Sequence, residues 1–324
     1  MSEGGDYDPG PWKGYDFGSA KATYDVHVGR SYDAAVSAGK SRDSLVAKTL
    51  STESESPLVI ACDVTGSMGE WPATIFSKLP YLDLEGKEYL GKGMEISFAA
   101  VGDAYSDKYP LQVRPFVSGK GLEKQLKELV IEGGGGGQQQ ESYDLATTYY
   151  ARNVNMPKAI SPIFIFIGDE GLYEFVDKDQ AKEWARTSIE GRLSSKKAME
   201  ELKSKYSVYL VRKPYGDTVG DSRSSEDKLI QKQWESYLGA DHIAILPEPG
   251  RVVDVIFGIL AKETDRINYF EDELKERQRP DQVKTVLKSL HTIHYLPKKS
   301  MKRLGEGNSM TRRSMDGKEA SSLL

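Results

Sequence analysis

Short apolar runs recur along the chain, and a polar residue stops each of the strongest. Residues 57–62 end in Asp63, residues 94–101 in Gly102-Asp103, and residues 160–167 in Gly168-Asp169. Residues 206–211 and 242–246 complete the set. The runs are five to eight residues long and rich in β-branched and aromatic types, the pattern of strands buried on both faces. Residues 111–117 alternate instead, and Pro115, which has no backbone N–H, places that strand at a sheet edge.

Helical spacing fills most of the gaps. Leu122, Leu126 and Leu129 mark one face of a helix over 121–130. Further helices are predicted over 142–152, 179–190, 194–203, 226–238 and 251–262. This alternation predicts βαβ units, and so an α/β fold with a doubly wound, mostly parallel sheet and helices on both faces, spanning 51–265. Beyond it, residues 270–279 stop at Pro280, and Asp281 is placed to cap a last helix running to His291. The division is therefore a Gly/Tyr-rich arm (1–50), the α/β domain (51–265), and a helical segment with a basic tail (266–324). The arm carries Tyr7, Trp12, Tyr15, Phe17, Tyr24 and Tyr32 without helix or strand period; it is either mobile or docked through these rings.

Composition narrows the classes. The chain has 324 residues, room for one or two domains. Lys plus Arg is 44 against 49 Asp plus Glu, a net charge of −5 that gives no reason to expect nucleic acid as the main ligand. No apolar run approaches the roughly 18–20 residues of a membrane-spanning helix. Residues 1–20 carry no basic-then-apolar leader, and the one cysteine, Cys62, has no internal partner. These features lead to the expectation of a cytoplasmic protein with no disulfide scaffold and no membrane segment.

The chemistry concentrates in Asp63-Val64-Thr65-Gly66-Ser67. A strand delivers the carboxylate to the sheet edge. A turn eased by Gly66 then brings two hydroxyls beside it. Such hard oxygens suit Mg²⁺ or Mn²⁺. In open α/β sheets ligands sit beyond the carboxyl ends of the strands, which draws in Asp103 and Asp169 as well.

Over residues 55–265 these features resemble the von Willebrand factor A family in its intracellular form. That family's metal-ion-dependent adhesion site reads D-x-[ST]-x-S after the first strand, and Asp63, Thr65 and Ser67 match it. Asp169 matches the family's later Asp at the end of a strand. The second loop departs from the pattern: Glu132, glycines 133–137, three Gln, then Glu141 and Ser142, with no Thr. By likeness to intracellular members, Glu141 or Ser142 supplies the missing ligand. The resemblance implies a metal-dependent recognition module and not an enzyme. Mg²⁺ would capture an Asp or Glu of a protein partner, with Trp71 and Tyr173 as an apolar rim. It also implies work as an adaptor beside an AAA+ ATPase of the MoxR type.

Two rivals come from other classes. A structural scaffold would carry the same residues as a vestigial site. A haloacid-dehalogenase-like phosphotransferase would use Asp63 as a phosphorylated nucleophile, given Asp63-Val-Thr-Gly-Ser and the later Gly168-Asp169. Against it, Thr65 stands where those phosphatases have a second Asp, and Val64 where the related pumps have Lys.

Overall fold

A computed structural model describes residues 39–69, 71–130, 139–216 and 223–294. The arm's aromatic residues, glycines 133–137 and the basic tail lie outside the described residues.

Six strands form the central sheet: β1 (Pro57–Asp63), β2 (Glu95–Val101), β3 (Leu111–Val113), β4 (Ile163–Gly168), β5 (Ser207–Arg212) and β6 (Ile243–Ile245). Their order across the sheet is β6-β5-β4-β1-β2-β3. All neighbours are parallel except β2 and β3, so the protein is mixed α/β with a mostly parallel sheet. The alternating segment around Pro115 is indeed at the edge: β3 ends two residues before it, and the chain beyond touches β2 again through an isolated bridge from Ile96 to Val117. The chain steps outward from β1 through β2 to β3. It then returns to the other side of β1 with β4 and continues outward through β5 and β6. The strand order therefore changes direction between β1 and β4, and in open α/β sheets such a point, at the carboxyl ends of the strands, is where ligands sit.

Every residue of β1 is buried, as its uninterrupted apolar run requires. Its alternate side chains feed two hydrophobic clusters. Leu58, Ile60 and Cys62 join the first, with helices α1 (Trp71–Leu90), α2 (Lys120–Lys127), α6 (Val252–Glu263), α7 (Ile267–Arg277) and α8 (Pro280–Ser289). Val59 and Ala61 join the second, with α3 (Tyr143–Arg152), α4 (Ser195–Lys203) and α5 (Ser225–Leu238). Phe270, Leu274 and Val286 from α7 and α8 belong to the same cluster as β1. On the other side of the chain, the short helix Arg42–Leu45 is tied down where the Arg114 guanidinium donates to the carbonyl of Ser44 at 2.6 Å.

Several elements differ from the sequence reading. The 20-residue helix α1 was not predicted, because Pro72, Pro80 and Gly86 break its helical signature. The helix expected over 179–190 stops at Glu183. Asp281 is not the cap of α8: Arg279 occupies that position, and Pro280 takes the first helical position, where its missing N–H costs nothing.

Candidate functional site

The loop after β1 folds back at once. Val64 N–H still donates to the carbonyl of Val101, and then a 3-10 turn, Gly66–Met68, reverses the chain. Met68 is fully buried and anchors the turn to the core, while Gly66 and Ser67 face solvent. Gly69 closes the turn at a φ of +54°, a left-handed conformation that a side chain would strain.

This geometry makes Asp63, which has no exposed surface, the inner end of a chain of polar contacts. Asp63 Oδ1 accepts from Thr65 N at 2.9 Å and from Thr65 Oγ1 at 2.6 Å. Thr65 Oγ1 lies 3.2 Å from Ser67 Oγ, which donates to Asp169 Oδ1 at 2.9 Å. Asp169 Oδ2 accepts from the Lys213 ammonium at 2.7 Å, and the same ammonium reaches the carbonyl of Ser67 at 2.8 Å. The structure thus brings together all three residues of the Asp63-Thr65-Ser67 turn and the Asp that follows β4. Asp169 belongs here because β4 pairs directly with β1 across the winding reversal.

The second loop arrives from the other side. Ser142 sits immediately before α3, and its hydroxyl accepts from Ala104 N at 2.9 Å. Glu141 lies in a two-residue strand paired with Gly171–Leu172 and is 1% exposed. The Oε2 atoms of Glu141 and Glu170 are buried without a donor from the protein. The two carboxyls are close enough to interact, which raises Glu141 further and opposes the effect of burial on Glu170.

Burial dominates the electrostatics. It pushes Asp63 up to about 7, with the charge of Asp169 adding to it and the Thr65 and Tyr143 hydrogen bonds opposing it. Burial, then the Asp63 charge, then the pairing with Glu170 push Glu141 up to about 12. Burial also raises Glu170 to about 7. Several carboxyl groups therefore share a dry space in which charge is costly unless a cation offsets it.

Sequence reasoning passed over three contributors. The Tyr143 hydroxyl donates to Asp63 Oδ2 at 2.6 Å, and its ring packs edge-on against Trp234 at 5.3 Å between centroids. Gly168 makes room for that hydroxyl: a Cβ there would lie 1.7 Å from it and 3.2 Å from the Asp63 Cβ. Lys213 follows β5 just as Asp169 follows β4. The pairing of Arg212 with Gly168 sets the two side by side, so the strand-end rule that selected Asp169 also selects Lys213.

Other expected residues sit differently. Trp71 is 2% exposed inside the first cluster and forms no rim, because the first turn of α1 points it into the core. The Tyr173 hydroxyl donates to Asp103 Oδ1 at 2.9 Å, and its ring stands 4.9 Å from that of Tyr105, which is 61% exposed. The Asp103 carboxylate also accepts from Tyr105 N and Ser106 Oγ, which makes it a turn-forming residue. Among the described residues no group of three or more His, Cys, Asp or Glu is arranged to hold a metal ion; the Asp63 cluster draws on hydroxyls as well.

No family model matches the chain, and no curated protein matches it. Similar solved structures include two of the pilus adhesin SpaC from Lactobacillus rhamnosus GG. Both have a TM-score of 0.43 and cover 71% of this chain, at 11% and 9% identity. The proximal thread matrix protein 1 of the mussel byssus has a TM-score of 0.42 at 11% identity, covering 65% of this chain and 48% of its own. This chain spans less than a third of the adhesin, 31% and 30% in the two structures.

Proposed function

We propose that this chain carries a doubly wound domain of the von Willebrand factor A type and acts as a metal-dependent protein-recognition module. One observation carries the reading. A carboxylate and two hydroxyls from a single five-residue turn join a second carboxylate from the adjacent strand, at the point where the winding of the sheet reverses. The donors fit a hard divalent cation: they are all oxygens, and the buried Glu141 Oε2 has no protein donor. Asp63, Thr65, Ser67 and Glu141 would hold Mg²⁺ or Mn²⁺, with Asp169 acting through water. Glu141 is favoured over Ser142, whose hydroxyl already serves Ala104. The ion would supply an electrophilic position for an Asp or Glu of the partner. The cytoplasmic location and the AAA+ ATPase of the MoxR type remain implications of the family resemblance.

The phosphotransferase reading gains no support from the nucleophile's surroundings. Both Asp63 oxygens accept hydrogen bonds, and neither is exposed for attack on a phosphoryl group. The scaffold reading has one observation in its favour: Lys213 neutralises Asp169 from within the protein.

Calorimetric titration of EDTA-treated protein with Mg²⁺ and then Mn²⁺ tests the reading. Wild type is expected to show a single site. Asp63→Asn, which keeps the side chain's shape, and Asp63→Ala are expected to lose it. Absence of heat and of thermal stabilisation by either ion in wild type and in the variant lacking the Lys213 charge would leave the scaffold reading.

A further inference from the structure

We infer that Lys213 is a tethered counter-cation that occupies the charge position of the divalent ion, so that metal enters only as this ammonium leaves Asp169. The inference rests on the metal reading above and adds to it the residue that sets how tightly the site holds its ion.

The geometry is specific. The Lys213 backbone N–H donates to the carbonyl of Gly168 at 2.9 Å, which fixes the base of the side chain beside Asp169. From there the ammonium bridges two different parts of the cluster, Asp169 Oδ2 at 2.7 Å and the Ser67 carbonyl at 2.8 Å. Ser67 is thereby held at both ends, by its hydroxyl on Asp169 Oδ1 and by its carbonyl on Lys213. The Asp169 side chain has no exposed surface, whereas that of Lys213 is 22% exposed. Lys213 is therefore a partner of the buried carboxylate that itself reaches solvent.

A buried carboxylate without an opposing charge is costly, so an internal cation stabilises the turn when no other cation is present. The same cation opposes a second one. An ammonium and a divalent ion sharing Asp169 and Ser67 would sit a few ångströms apart with like charge. Lysine suits such an exchange: its charge is a compact, strongly hydrated point on a flexible four-carbon stem, and it can swing into water without moving the backbone. Arginine, with a planar fork, would hold the two oxygens more rigidly.

Three proteins test this: wild type, Lys213→Met, which keeps the stem and loses the charge, and Lys213→Arg. Each is titrated with Mg²⁺ and Mn²⁺ after EDTA treatment, with Asp63→Asn as the site control. Lys213→Met is expected to bind either ion about tenfold more tightly than wild type, the usual scale of coupling between two sites. Lys213→Arg is expected to stay at the wild-type level or weaker. In wild-type protein, acetylation of Lys213 by acetic anhydride, read by peptide mass spectrometry, should rise when Mg²⁺ saturates the site. Equal or weaker binding by Lys213→Met, with binding still lost in Asp63→Asn, overturns this inference and leaves the metal reading intact. Absence of binding in all variants overturns both. If Lys213→Met fails to fold by circular dichroism, the wild-type acetylation decides, and acetylation that does not rise with Mg²⁺ overturns the inference.

Discussion

At the scale of single residues, Asp63 Oδ1 joins the turn through Thr65, while among the described residues Oδ2 has the Tyr143 hydroxyl as its donor. Tyr143→Phe removes that donor and leaves a buried carboxylate oxygen unpaired. The expected loss is about 1–3 kcal/mol, the cost of an unsatisfied buried polar group. Urea unfolding of EDTA-treated protein measures it, and an unchanged midpoint would show that the hydroxyl is not needed. Gly168→Ala attacks the same contact from behind, since its methyl would overlap the tyrosine oxygen at 1.7 Å. Either Tyr143 or β4 must shift, and the same unfolding experiment is expected to show a loss of about 1–3 kcal/mol or more. The Asp63-Thr65-Ser67 turn was legible in sequence because its three residues are local and follow a strand. Tyr143 was not: it lies 80 positions from Asp63, and helix α3 brings them together through packing that no local pattern encodes.

At the scale of elements, the strands were the most legible part. Strands β1, β2, β4 and β5 are largely apolar runs with a polar stop, and that pattern requires burial on both faces. Helix α1 was hidden because proline and glycine interrupt its sequence, and tertiary contacts override the weak propensity. Helices α7 and α8 were legible as helices, but their packing was not. Phe270 is 1% exposed and Leu274 fully buried against the same cluster that contains β1. Their side of α6 is shaped for the contact: a Cβ on Gly258 would fall 2.1 Å from Leu290 Cδ1. Phe270→Ala is therefore expected to cost about 3–5 kcal/mol, the range for deleting a buried phenyl ring. A single urea transition with a lowered midpoint would show that α7 unfolds together with the sheet. A second, early transition would show that it does not.

Across the whole molecule, buried carboxyls set the response to pH. Burial raises Asp144 to about 8, and Asp63 and Glu170 each lie at about 7. Their ordinary values are 3.8 for the aspartates and 4.5 for the glutamate, so between roughly pH 4 and pH 8 the folded state binds more protons than the unfolded state. Stability from these groups is then greatest at the acid end, falls as pH rises through about 7 to 8, and levels off above. Thermal melts in EDTA should show a higher midpoint at pH 5.5 than at pH 8.5. A midpoint that rises over that interval would contradict the sign.

Cys62 sits one residue before Asp63, with no exposed surface and with burial and the Asp63 charge both holding its thiol protonated. It is the chain's one cysteine, so any thiol reagent reports on a single place, the central strand that leads into the Asp63 turn. Alkylation then acts as a clock. Its rate records how often β1 opens to water, and the slowing brought by any bound ion, partner or variant could be read from native protein without a denaturant.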